Sequence, residues 1–203
     1  MDSDDASKGV DPVQARDIEL IKSGDRNAQE RLVKDTRPIV LAMLHRFLDD
    51  PEEIKDAFQE TYMNAFKSID QFRGDSAVST WLTAIARNCA LTRLRKGKKL
   101  QSVPGSSELA ELNEFGLSKF PKTRLLPDFE RLLETRENRL LVRQAIMTLP
   151  QIYRTAILLK DIEGLSLKEI SLQLDISLSA TKVRIHRARH MLRNQLLEMF
   201  EIE

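Results

Sequence analysis

The sequence predicts an all-α protein: two small helical domains, a bundle and a helix-turn-helix, joined by a flexible linker. Three observations carry this. Apolar residues recur every three or four positions through several stretches, the period of an amphipathic helix. Strand-like alternation is absent, with only seven Gly and seven Pro in 203 residues to punctuate the chain. Near the C-terminal end, a short helical pattern, a tight turn and a long basic helical pattern follow one another.

Residues 1–12 read as a frayed leader ending at Pro12. Val13 to Lys22 is a short helix, broken by Gly24-Asp25, and Asp25 is placed to cap the next helix, Arg26 to Leu48. The apolar positions of that second helix are Leu32, Val33, Ile39, Val40, Met43, Leu44 and Phe47, and Pro38 is expected to kink or split it. Pro51 suits the first turn of a third helix, with Ile54, Ala57, Phe58, Tyr62, Ala65, Phe66 and Ile69 as its buried stripe. After a turn at 70–75, a fourth helix from Ser79 or Thr80 carries Trp81, Leu82, Ile85, Ala86, Cys89, Ala90 and Leu94. These elements make a first domain at 13–96.

Residues 97–133 carry Gly97, Pro104, Gly105, Gly116, Pro121 and Pro127 and read as a linker, since a connection this long is unusual inside one compact domain. The second domain is 134–200. Leu140, Leu141, Ala145, Ile146 and Leu149 mark a helix closed by Pro150, and Ile152, Ala156, Ile157, Leu158 and Leu159 mark the next, closed around Gly164. Ser166-Leu167-Lys168-Glu169 fits a capping box before a short helix to Leu174. Asp175-Ile176-Ser177 is a tight turn, and a helix follows from Leu178 to Met199.

Composition narrows the function classes. A content of 41% apolar and 31% charged residues excludes a wholly disordered chain. No apolar run is long enough to span a bilayer and no signal peptide is visible, so the expected location is cytoplasmic. A single cysteine excludes an internal disulfide and a Cys-rich metal cluster. The net charge of +1 conceals sorting. Residues 49–60 hold six acids against Lys55. Arg87 to Lys99 holds six bases and no acid, and Ile176 to Leu197 holds five bases and no acid. Two separate basic segments point to two anionic contacts; either alone is equally well a solvated face.

In a helix-turn-helix the second helix enters the DNA major groove, with its early turns at the base edges. Lys182, Arg184, His186 and Arg187 fall on those turns, and Lys182, His186 and Arg189 share a face. Arginine bonds guanine bidentately, and both Lys and Arg bind phosphates; the bland alternative is a basic helix packing on a protein partner. In the first domain Phe72 and Trp81 flank Arg73, Gly74, Ser76 and Thr80, just before the basic run. Aromatic rings beside cations suit unpaired bases, although both rings also fit a core. No catalytic constellation, metal site or cofactor motif stands out. His186 and His190 are one turn apart without an HExxH frame, and Cys89 is most simply a small buried hydrophobe.

The chain resembles the extracytoplasmic-function sigma factors of bacterial RNA polymerase, the small members with only the second and fourth sigma domains. The resemblance is carried by the stretch Asp56 through Phe66, by Phe72-Arg73-Gly74, Thr80-Trp81-Leu82 and Ile85-Ala86-Arg87-Asn88. In the second domain it is carried by Leu149-Pro150, Gly164-Leu165-Ser166, Glu169-Ile170 and Arg184-Ile185-His186-Arg187-Ala188-Arg189. It covers roughly residues 15–96 and 135–197.

The resemblance implies a non-enzymatic subunit without cofactors that binds core RNA polymerase and directs promoter recognition. Asp56, Gln59, Glu60 and Asn64 would dock on the clamp of the beta-prime subunit. Phe72, Arg73, Ser76, Thr80, Trp81, Arg87, Asn88, Arg93, Arg95 and Lys96 would open and hold the minus-ten element. Ser179, Thr181, Lys182, Val183, Arg184, His186, Arg187 and Arg189 would contact the minus-thirty-five element, while the same domain grips the beta flap. Most such factors are held inactive by an anti-sigma factor, often membrane-bound. Thr92 stands where an aspartate is frequent, Asp175 replaces the usual turn glycine, Ser179-Ala180 replaces Gly-Thr, and Val183 replaces a frequent serine. The alternatives are a stand-alone helix-turn-helix regulator and a sigma mimic that sequesters an anti-sigma factor. Two helical domains in 203 residues leave no room for the receiver domain such mimics usually carry.

Overall fold

The computed structural model describes residues 15–97 and 135–200. The expected leader at 1–12 and all of the expected linker but Gly97 lie outside them. The chain divides into two compact units near the end of the fourth helix.

In the first unit α1 spans Ala15–Lys22 and α2 spans Arg26–Phe47, with the Asp25 carboxylate accepting from the Ala28 amide at 2.6 Å as the expected N-cap. Pro38 does not split α2, which continues through it. Proline leaves the Lys34 carbonyl without its intrahelical donor, but both residues are exposed and water can replace that bond. The buried stripe of α2 is Ala28, Leu32, Thr36, Val40, Leu44 and Phe47, so Ile39, expected inside, is 45% exposed. Thr36 takes a core place because its hydroxyl is satisfied: it donates to the Leu32 carbonyl at 2.6 Å and accepts from the Tyr62 hydroxyl at 2.7 Å. Burial pushes the Tyr62 phenol up, partly offset by the bond to Thr36.

α3 spans Pro51–Ser68 behind an Asp50 cap that accepts from the amides of Glu52 and Glu53. It buries Ile54, Ala57, Thr61, Tyr62 and Ala65, while Phe58 and Phe66 are only half-buried and flank the Tyr62 ring, Phe58 edge-on and Phe66 tilted. A 3-10 turn at Ile69–Gln71 leads to a loop in which Gly74 has φ +80°, a conformation most side chains avoid. α4 spans Val78–Lys96 and buries Leu82, Ala86, Cys89, Ala90, Leu91 and Leu94.

In the second unit α5 spans Arg136–Thr148, capped by Thr135. Val142, Ala145 and Ile146 face inward, whereas Leu140, expected on the stripe, is 49% exposed. α6 spans Gln151–Ile157 and continues as a π turn at Leu158–Ile162, a widening the sequence pattern does not announce. α7 spans Leu167–Leu174 and opens with the full capping box: the Glu169 amide bonds Ser166 Oγ at 3.2 Å, and the Ser166 amide bonds Glu169 Oε2 at 2.7 Å. Asp175 takes φ 54°, ψ 50° and ends α7, a left-handed turn that its short polar side chain tolerates. α8 spans Leu178–Met199 behind Ser177, and packs on α5, α6 and α7 through Thr181, Ile185, Ala188, Leu192 and Leu196.

Candidate functional site

The outward side of α3 carries the residues expected to dock on polymerase. Asp56, Gln59 and Asn64 are exposed and Glu60 is half-buried. Asp56, Glu60 and Asn64 stand at four-residue steps, so they line one stripe. The apolar stripe of α3 turns inward against α2, which leaves this polar stripe outward. Asn64 Nδ2 reaches across to the Cys89 sulfur at 3.5 Å. Cys89 is buried, as expected, and burial pushes its thiol up. Met63, 58% exposed beside this stripe, is a position the sequence reading does not pick out; the i, i+4 step from Gln59 is the signal that locates it.

Arg93 joins this face to α4. Its Nη1 donates to Asp56 Oδ2 at 3.2 Å, and its Nε lies 3.4 Å from Glu60 Oε2. A base expected on the minus-ten strand is therefore engaged with two acids expected on polymerase. The remaining basic end of α4 is different: Arg95 and Lys96 are exposed, Arg87 is half-buried and Asn88 is exposed. Positive side chains in the last turn also interact favourably with the helix dipole.

Phe72 and Trp81 resolve the choice between core and surface by doing part of each. Their centroids are 5.2 Å apart at 47°, and both are half-buried. Arg73, Ser76 and Thr80, their neighbours in sequence, are exposed. A partly exposed aromatic pair is the kind of surface on which an unpaired base can stack.

The expected reading set of α8 separates into three groups. Ser179 and Lys182 are exposed at the N-terminal end, where Ser179 shares a 2.9 Å hydrogen bond with the capping Ser177. His186, Arg187 and Arg189 are half-buried. Arg187 donates to the Tyr153 hydroxyl at 3.3 Å, and Arg189 pairs with Asp161. Thr181, Val183 and Arg184 are buried, Arg184 to 2% exposure. A base-reading side chain must reach a groove. These three instead lie on or beside the helical stripe that packs α8 into its own unit, and Thr181 donates to the Ser177 carbonyl at 3.0 Å.

Burial first, then the positive charges of His190, Arg189 and Arg187, hold the His186 imidazole below its ordinary pKa. A neutral ring offers one donor and one acceptor, which suits a base edge better than a phosphate. Tyr153 and Asp161 escape a sequence reading, because their arginine partners lie 34 and 28 residues away and no local pattern links them. Among the described residues no group of three metal-ligating side chains comes together, and no helix is long and apolar enough to cross a membrane.

The family described as Sigma-70 region 2 matches residues 32–100, and Sigma-70 region 4 matches residues 139–192. The RNA polymerase sigma-H factor of Pseudomonas aeruginosa is 35% identical over 176 residues, covering 85% of this chain and 88% of that protein. The ECF RNA polymerase sigma factor SigW of Bacillus subtilis is 34% identical over 183 residues, covering 90% and 96%. Among solved structures, CnrH in complex with the cytosolic domain of CnrY aligns over 91% of this chain and 96% of its own, at 23% identity and a TM-score of 0.41.

Proposed function

From the premise that this chain belongs to the extracytoplasmic-function sigma factors of the sigma-70 superfamily, we propose the surfaces through which it serves RNA polymerase. A sigma factor catalyses nothing itself; it gives polymerase its promoter. The α3 stripe of Asp56, Gln59, Glu60 and Asn64 docks on the beta-prime clamp. The Phe72–Trp81 platform, with Arg73, Ser76, Thr80, Arg87, Asn88, Arg95 and Lys96, holds the unpaired minus-ten strand. Ser179, Lys182, His186 and Arg187 present α8 to the minus-thirty-five element, in a unit that also grips the beta flap. The chain acts in the cytoplasm, and an anti-sigma factor covering these faces keeps it from polymerase until a signal releases it.

The observation that supports this reading is an exposed polar stripe on α3, with Asp56, Gln59 and Asn64, together with an exposed basic end of α4 at Arg95 and Lys96. One surface is fitted to a basic protein groove and the other to phosphates. The test is co-elution with core RNA polymerase. The wild-type chain is expected to join core, and Q59A/E60A to bind it about ten-fold to a hundred-fold more weakly with unchanged folding. Separate elution of the wild type, or unchanged affinity in the double variant, would exclude the α3 assignment.

A further inference from the structure

We infer that Asp161 sets the duplex-DNA affinity of the C-terminal unit by withholding Arg189 from the phosphate backbone. The inference rests on the proposed role of α8 as the helix that enters a groove. Arg189 stands seven residues after Lys182 and three after His186, so it shares their helical stripe and would meet the same duplex. Its guanidinium is nevertheless occupied. Nε donates to Asp161 Oδ2 at 3.0 Å and Nη2 donates to Oδ1, the two parallel bonds of a fork pair. The side chains are 32% and 20% exposed, so water screens this pair less than the open pairs of α1 and α2.

Duplex affinity that comes from phosphates is set by how much net positive charge replaces condensed counterions. Arg189 tied to an internal carboxylate brings no net charge to the backbone, and it brings the carboxylate along. The backbone of α6 explains why the acid is there. In the π turn the Glu163 amide bonds the Leu158 carbonyl five residues back, at 3.0 Å. One extra residue in a turn rotates the next side chains by about 100° relative to a regular α-helix. Asp161 lies within this turn and meets Arg189 of α8. Such turns are rare and concentrate at functional positions. A C-terminal unit muted in this way binds random duplex weakly, and its residence on DNA depends on polymerase and on the correct element.

The test uses the purified full chain and a short fluorescein-labelled duplex of random sequence, with affinity read by anisotropy across a KCl series. Asp161→Asn keeps the shape of the side chain and removes the charge. It is expected to tighten binding at low salt and to steepen the slope of log K against log salt by about 0.9, one added phosphate contact. Asp161→Glu keeps a charged partner and is expected to retain the wild-type slope. In the Arg189→Gln background, Asp161→Asn is expected to change nothing, because the cation it would release is absent. Circular dichroism melts of each variant establish that the folded chain is compared.

An unaltered slope in folded D161N would overturn the inference. So would a gain that persists in D161N/R189Q, since that would be a general loss of negative charge. Weaker binding by D161N would also overturn it, by making Asp161 a support that aims Arg189 at phosphate. Failure of every variant to bind duplex, with core polymerase binding intact, would overturn the assignment of α8 as the reading helix and the inference with it.

Discussion

The two basic segments look alike in sequence and differ in what they leave available. At the end of α4 the charges gather beyond the last buried residue, Leu94, so Arg95 and Lys96 are exposed, while Arg93 is drawn back onto Asp56 and Glu60. In α8 the charges are spread through a helix that is itself the centre of its unit. Arg184 is buried, Arg187 bonds Tyr153, and Arg189 bonds Asp161, which leaves Lys182 as the exposed cation of the early turns. Charge density along a chain therefore measures exposed positive charge only where the helix carrying it has finished packing. Within a packed helix, the periodicity decides which cations serve the fold.

The sharpest way to break this comparison is to truncate a buried and an exposed cation of the same helix. Arg184→Ala removes a large buried side chain and is expected to cost about 2 to 4 kcal/mol of stability, by loss of packing and of polar partners. Lys182→Ala is expected to stay within about 0.5 kcal/mol of wild type in a thermal or urea melt. Its loss should appear in DNA affinity instead. If R184A melts like wild type and shifts the preferred upstream sequence, Arg184 reads bases and the division of α8 into packed and reading cations is wrong.

A second test addresses the end of α4. Replacing Arg95 and Lys96 by glutamine is expected to lower the salt slope of binding to a single-stranded minus-ten oligonucleotide by about 0.7 for each phosphate no longer neutralised. The oligonucleotide is presented to the reconstituted holoenzyme. Arg93→Gln is expected to change the slope less than either, because its guanidinium already lies on Asp56 and Glu60. A larger effect from R93Q than from R95Q/K96Q would reverse the ranking.

The fold is largely legible in the sequence because its signals are local. Asp25 and Ser166 are caps that announce helix starts, Pro51 marks a first turn, and Asp175 announces a turn. The corrections fall where partners are distant in sequence. Thr36 replaces Ile39 in the core because Tyr62, 26 residues on, supplies its hydrogen bond. Asp161 and Tyr153 claim two arginines of α8 across separations of 28 and 34 residues. The π turn has no compositional signature in Leu158–Ile162, and so the residue it presents is invisible to pattern. Family resemblance points to candidate functional stretches, but solvent exposure within each stretch requires the packed helix.

The smallest expected effect concerns the cap that positions the helix-turn-helix. Ser166→Ala is expected to cost about 1 kcal/mol. The bonds from Ser166 hold the Glu169 carboxyl below the usual glutamate range. A depressed folded pKa means the contribution is present above the unfolded value and is lost as pH falls through the folded one. Acid titration of stability should therefore be shallower in Glu169→Gln than in wild type. Superimposable acid limbs would show that the Glu169 half of the capping box adds nothing.

The central claim is that the chain directs RNA polymerase to promoters through two units with unequal access to DNA. Its most direct test is transcription by core polymerase reconstituted with the full chain on a library randomised in the upstream element, with sequencing of the transcribed templates. The account predicts chain-dependent transcription that enriches a shared upstream motif, and a motif altered by Lys182→Ala in the folded protein. Transcription no greater than with core alone, or templates with no enriched motif, would contradict it.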